Sequence, residues 1–134
     1  MADDAPRIYP TLRYRDARAG IEFLKSAFGF QERVVYEEDG VIHHAELSYG
    51  PSIVMLGNER DDGSSLRAGA GAMYVAVDDA DAHCARAREA GAEITSELHD
   101  TDYGSRDYAA RDPEGNVWSF GTYRPAVGEE PLAA

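Results

Sequence analysis

The sequence predicts an α+β fold: two βαβββ modules forming curved mixed sheets around a cleft, with the helices on the outer face. Three observations predict it. A strand, an Asp-capped helix and three strand-like stretches follow one another over residues 7–56, and the same order restarts at 71 and runs to 123. The copies align in register: an offset of 63 places Leu12 on Val75, Asp16 on Asp79, Ala17 on Ala80, Ile21 on Cys84 and Leu24 on Ala87, and an offset of 64 places Leu56 on Phe120 and Gly57 on Gly121. The second copy closes on Asp112-Pro113-Glu114-Gly115-Asn116, where Pro presets φ and Gly supplies φ > 0, between two alternating stretches, and so predicts a hairpin.

Each element has its own signal. Met1–Pro6 is a disordered lead. Arg7–Tyr14 alternates, with Ile8, Leu12 and Tyr14 on one face and Tyr9, Thr11 and Arg13 on the other. Asp16 caps the first helix, Ile21, Leu24 and Phe28 form its buried stripe, Lys25 lies in its last turn and Gly29 stops it. Gln31–Glu37, Val41–Tyr49 and Ser52–Leu56 are strands, turned at Glu38-Asp39-Gly40 and Gly50-Pro51. Residues 57–70, polar and rich in Gly, Asp and Ser, link the modules. Module two opens with a strand at Gly71–Val77. Asp78 or Asp79 caps a helix with Ala80, Cys84 and Ala87 inward, and Gly91 ends it. Glu93–Leu98 is a strand, His99–Gly104 a loop, and Arg106–Arg111 with Val117–Tyr123 the closing hairpin. Trp118 and Phe120 lie under the helices, and Ser119 is on the opposite face. The whole chain, 1–134, is read as one domain with a loose tail over 124–134.

Composition narrows the functions. The formal charge is −12, from 25 acidic and 13 basic residues, which disfavours nucleic acid and permits a cationic ligand. No apolar run approaches the roughly 20 residues of a membrane span. The acidic start lacks a signal peptide's basic and apolar regions. The one cysteine, Cys84, excludes an internal disulfide and is compatible with the cytosol, so a cytoplasmic location is expected.

With the paired βαβββ order, the LRYRDARAGIEFLKSAFGF stretch and the DPEGNVWSF hairpin in view, the chain resembles the vicinal oxygen chelate superfamily of glyoxalase I, extradiol dioxygenases, fosfomycin-resistance enzymes and bleomycin-resistance proteins. The resemblance covers about residues 7–123 and implies a homodimer. It also implies a divalent metal held by His or Gln, Glu, His and Glu on the first and last strands of each module. Those places fall near Tyr9, Met55, Ala72 and Ser119. Ala72 has no donor, Met55 offers a soft thioether, Ser119 is neutral, and Tyr9 would need deprotonation. The expectation is therefore no metal and no cofactor. The expected function is that of a small-molecule binding protein resembling bleomycin-resistance proteins, sequestering an antibiotic-like, aromatic or cationic ligand. The alternative is a lyase, isomerase or dioxygenase with a nonstandard metal site.

The candidate ligand-binding residues are Tyr9, His44, Glu46, Met55, Tyr74, Tyr103, Arg106 and Ser119. His44 and Glu46 share a strand face opposite Ala45 and Leu47, so they reach the cleft or form a hydrogen-bonded pair on a half-exposed strand. Tyr9, Tyr74 and Tyr103 offer flat apolar area with a hydroxyl, for stacking or for ordinary packing. The facing of Tyr108 is left open. Arg106 either pairs a ligand carboxylate or bridges to Asp107 or Glu114. His83 and His99 are expected on the surface. No nucleophilic triad, phosphate-cradling loop or CxxC site is present.

Overall fold

The structure, a computed structural model, describes residues 5–129. Most of the expected lead and the far end of the expected tail lie outside the described residues. The element order is β1 (Thr11–Tyr14), α1 (Ala17–Phe28), β2 (Gln31–Glu38), β3 (Val41–Tyr49), β4 (Ser52–Asn58), β5 (Ala72–Ala76), α2 (Ala80–Glu89), β6 (Glu93–Asp100), β7 (Arg106–Arg111) and β8 (Val117–Gly121). This is the α+β arrangement of two βαβββ modules. The strands form two four-stranded mixed sheets, ordered β1-β4-β3-β2 and β5-β8-β7-β6, each with its first strand parallel to its last.

The helices start and stop where the sequence predicts. The Asp16 carboxylate accepts from the Ala19 N–H at 3.0 Å, and Gly29 takes φ 82° at the other end of α1. Asp79, rather than Asp78, caps α2 by accepting from Ala82 at 3.0 Å. The buried face of α1 (Ile21, Leu24, Phe28) and that of α2 (Ala80, Cys84, Ala87) join one core with Leu12, Tyr14, Ala45, Leu47, Leu56, Tyr108, Trp118 and Phe120. Phe28 connects the halves, packing on Trp118 and Phe120 with ring centroids 5.7 and 4.8 Å away.

The Asp112–Asn116 turn is a second junction. The buried Asp112 Oδ2 accepts from Tyr14 Oη at 2.6 Å, Asn116 Nδ2 at 2.9 Å and Trp118 Nε1 at 3.2 Å, and Oδ1 accepts from the N–H groups of Glu114 and Asn116, each at 3.0 Å. Glu114 accepts from the backbone N–H groups of Arg15 and Asp16 at 2.6 and 2.7 Å. The turn thus binds the start of α1 as well as closing its own hairpin.

Some boundaries move. β1 begins at Thr11, not Arg7, because Pro10 has no N–H to extend the ladder; its carbonyl still accepts from Met55 N–H at 2.9 Å. β4 runs to Asn58 and β6 to Asp100, each two residues beyond expectation, and β8 stops at Gly121. A bulge opposite Tyr36 and Glu37 places an extra residue, His43, in β3, so Ile42 and Ala45, three apart, both face the core.

Candidate functional site

Away from the helices, each sheet presents an open face. Register defines the rows across it. On the first sheet Thr11 lies beside Met55, Met55 beside Glu46 and Glu46 beside Val34. On the second, Tyr74 lies beside Ser119, Ser119 beside Ala109 and Ala109 beside Ser96. Strand alternation sends their neighbours Leu12, Ala45, Leu56 and Phe120 into the core.

His44 and Glu46 share the first open face. His44 Nε2 is 2.9 Å from Glu46 Oε2, and Arg33 donates to Glu46 Oε1 at 3.0 Å. The hydrogen bond from His44, then that from Arg33, holds the Glu46 carboxyl below its usual pKa. The His44 ring also stacks near Tyr36, centroids 6.2 Å apart.

Between the modules lies a cavity of about 450 Å³. Phe30, Val54, Met73, Val75 and the buried Trp118 give it an apolar wall. Ile8, Pro10 and the β3–β4 turn rim it, and its polar groups come from Tyr49, Ser52, Tyr74, Asp78 and Arg124. Burial, then the charge of Asp78, pushes the Tyr49 hydroxyl pKa upward. A cavity of this size with a mostly apolar lining and a few polar groups suits a small organic molecule.

The eight sequence candidates fall into separate groups. Tyr74 lines this cavity. His44, Glu46 and Met55 stand together on the first open face, and Ser119 lies beside Tyr74 on the second. Tyr9 precedes β1 and donates its hydroxyl to the Pro6 carbonyl at 2.6 Å. Tyr103, in the loop before β7, packs on Tyr123 with centroids 5.6 Å apart. Arg106 is held by Asp81 at 2.9 Å and Asp100 at 3.1 Å, not by Asp107 or Glu114. Tyr108 faces the core.

Two expectations need correction. His83 is half-buried and engaged rather than free on the surface. Its ring bridges Tyr108 Oη at 2.6 Å and the Phe28 carbonyl at 2.9 Å, because the C-terminal end of α1 docks against α2. The two first-strand metal places also shift, since register sets Thr11, not Tyr9, beside Met55 and Tyr74, not Ala72, beside Ser119. Alternation alone places the cavity residue Trp118 in the core, and it gives Phe30 and Met73 no distinguishing signal. Only the relative placement of the modules leaves a gap next to them.

The four corrected places carry two aliphatic hydroxyls, a thioether and a phenol. The phenol donates to the Tyr123 carbonyl at 2.6 Å, and burial raises its pKa. None is an imidazole or a carboxylate, so this donor set does not fit a divalent metal. Among the described residues no group of three His, Cys, Asp or Glu side chains could hold one.

Paired mixed sheets with an inter-module cavity define a duplicated-module protein of the glyoxalase type. Residues 8–120 match the model of the Glyoxalase/Bleomycin resistance protein/Dioxygenase superfamily, and the chain belongs to that superfamily. An uncharacterized protein of Mycobacterium bovis is 33% identical over 125 residues, covering 87% of this chain and 82% of that protein. TioX from Micromonospora sp. ML1 superposes with a TM-score of 0.76 at 32% identity, over 87% of this chain and 98% of that one. TnmS3, an antibiotic binding protein from Streptomyces sp. CB03234, superposes with a TM-score of 0.67 at 21% identity, over 82% and 88% of the two chains.

Proposed function

We propose that this chain is a metal-free binding protein that sequesters a planar, largely apolar small molecule, of the kind an antibiotic presents, in the cavity between its modules. The observation that carries this reading is the cavity itself. Its aromatic and thioether side chains supply contact area and exclude water, and the hydroxyls of Tyr49 and Ser52 with the charges of Asp78 and Arg124 orient polar groups. The family's metal places carry donors unsuited to a divalent ion, which favours binding over metal chemistry. The TnmS3 fold, that of an antibiotic binding protein, supports the same reading. His44 and Glu46 would meet polar parts of a ligand that extends over the first open face.

The chain is proposed to act as a cytoplasmic homodimer in which a second copy covers the exposed edge residues Thr11 and Ala72. No helix among the described residues is long and apolar enough to cross a membrane.

Trp118 is the single tryptophan and lines the cavity, so occupancy has an intrinsic reporter. Coumarin, neutral and planar, is expected to quench Trp118 fluorescence saturably and to raise the melting temperature. Ser52→Phe, on the exposed rim, should weaken the coumarin response by about tenfold by filling the entrance. Quenching that is linear in coumarin, or indifferent to Ser52→Phe, overturns the cavity reading. One equivalent of tightly held divalent metal per chain, with loss of stability on chelation, overturns the metal-free part.

A further inference from the structure

Gly121 stands on β8 where no side chain fits. The Asp107 carboxylate and the Tyr74 hydroxyl both occupy the space a Cβ would take, the hydroxyl 2.7 Å from that point. These groups are fixed from beneath. Buried Ser105 donates its hydroxyl to Asp107 Oδ1 at 2.5 Å and accepts from the Tyr123 N–H at 3.0 Å. Tyr74 donates to the Tyr123 carbonyl at 2.6 Å. Tyr103 then meets the Tyr123 ring edge to face, with an interplanar angle of 77°. Three phenol rings and one carboxylate therefore converge at one end of the second sheet.

The ring surface is accessible, since Tyr74 and Tyr103 remain 44% and 47% exposed. The carboxylate has no protein cation: among the described residues no Lys or Arg pairs with Asp107, and the adjacent Arg106 is held by Asp81 and Asp100. Aromatic faces attract a cation through their quadrupole, most strongly a weakly hydrated organic one. A hard divalent ion would require several oxygen ligands, and this cluster supplies one carboxylate. The chain's formal charge of −12 favours approach of a cation.

We propose that Tyr74, Tyr103, Tyr123 and Asp107 form a subsite for an alkylammonium group, with Tyr74 shared between it and the cavity. The ligand then carries a protonated or quaternary amine at the end that reaches Tyr74. This subsite rests on the cavity reading above and names the chemical class of its ligand.

The test uses choline and 3,3-dimethyl-1-butanol, which have the same shape but differ in charge, titrated by calorimetry into the full chain. Choline should bind saturably, and the neutral isostere about tenfold more weakly. Asp107→Asn should weaken choline by about tenfold and Tyr103→Leu by about threefold. Coumarin quenching of Trp118 should be unchanged in both variants, because neither residue lines the cavity. Tyr103 is half exposed on a loop, so its variant stays informative if Asp107→Asn fails to fold. Equal affinity for the two probes, or choline binding unaffected by Tyr103→Leu, overturns the subsite. Coumarin binding without discrimination between the probes removes the subsite and leaves the cavity reading standing. Choline discrimination without coumarin binding does the reverse.

Discussion

Gly57 and Gly121 occupy matched places in the two modules, and what stands over each differs in charge. A Cβ on Gly57 would lie 2.7 Å from Arg13 Nη1 and 2.8 Å from the His43 carbonyl oxygen; on Gly121 it would meet the Asp107 carboxylate and the Tyr74 hydroxyl. The duplicated backbone keeps a notch at the end of the last strand. One copy fills it with a guanidinium and the other with a carboxylate and a phenol. The closing turns diverge as well. Around Gly50 a Cβ would meet nothing within 4 Å, whereas the Asp112–Asn116 turn is bound to the other module. Duplication preserved the frame, and the functional differences lie in what fills matched slots.

The largest effect should come from removing the junction found in one turn only. Asp112→Ala leaves the buried Tyr14 hydroxyl, the Trp118 N–H and two backbone donors without their acceptor, at a cost of about 3–5 kcal/mol. Pro51→Ala, in the matched exposed turn, should change stability by less than about 0.5 kcal/mol. Chemical denaturation of both variants checks the contrast, and a loss of similar size in each would erase the distinction between the two turns.

The notches themselves come next. Gly57→Ala is expected to cost about 2 kcal/mol, because the carbonyl oxygens of His43 and Ile42 that it meets are backbone atoms of β3 rather than the end of a flexible side chain. The atoms nearest a Cβ at Gly121 belong to side chains, so Gly121→Ala should cost about 1 kcal/mol while displacing Asp107 and abolishing choline discrimination. Denaturation midpoints measured alongside choline titration separate the two results. Choline binding that survives Gly121→Ala would show that the notch does not organise the second open face.

The frame was legible in the sequence because its signals are local. Asp16, Asp79 and Gly29 mark helix ends through hydrogen bonds to neighbours in sequence, and alternation around Leu47, Trp118 and Phe120 identifies the inward faces. The site was less legible because it depends on how the modules meet. Alternation places Trp118 in the core, but it does not report that a cavity remains beside it. Arg106 sits on the expected strand, yet its partners Asp81 and Asp100 come from another helix and another strand. The pairing of His44 with Glu46 was open to reading because both lie on one strand, two residues apart.

The matched helix positions Gly20 and His83 sharpen the comparison at its smallest scale. At Gly20 a Cβ would lie 2.7 Å from the Tyr14 ring, so that helix closes on its tyrosine without a side chain. At the same place in α2, His83 accepts from or donates to the Tyr108 hydroxyl and reaches the Phe28 carbonyl, tying the modules together. Burial, the largest influence, lowers the His83 pKa from its ordinary 6.5 against the opposing hydrogen bond to Phe28. In the interval between the folded value and 6.5 the unfolded chain binds more protons than the folded one, so stability rises with pH there. This stabilisation is present above 6.5 and is lost as pH falls toward the folded value. Glu46, whose pKa is lowered from 4.5, acts in the same direction but at more acidic pH, which keeps the two groups separable. Melting temperatures taken from pH 7.5 to about pH 5 should therefore decline in the native chain and decline less in His83→Gln. Parallel curves for the two proteins would show that the histidine does not titrate as a buried link, and that the matched positions differ in packing alone.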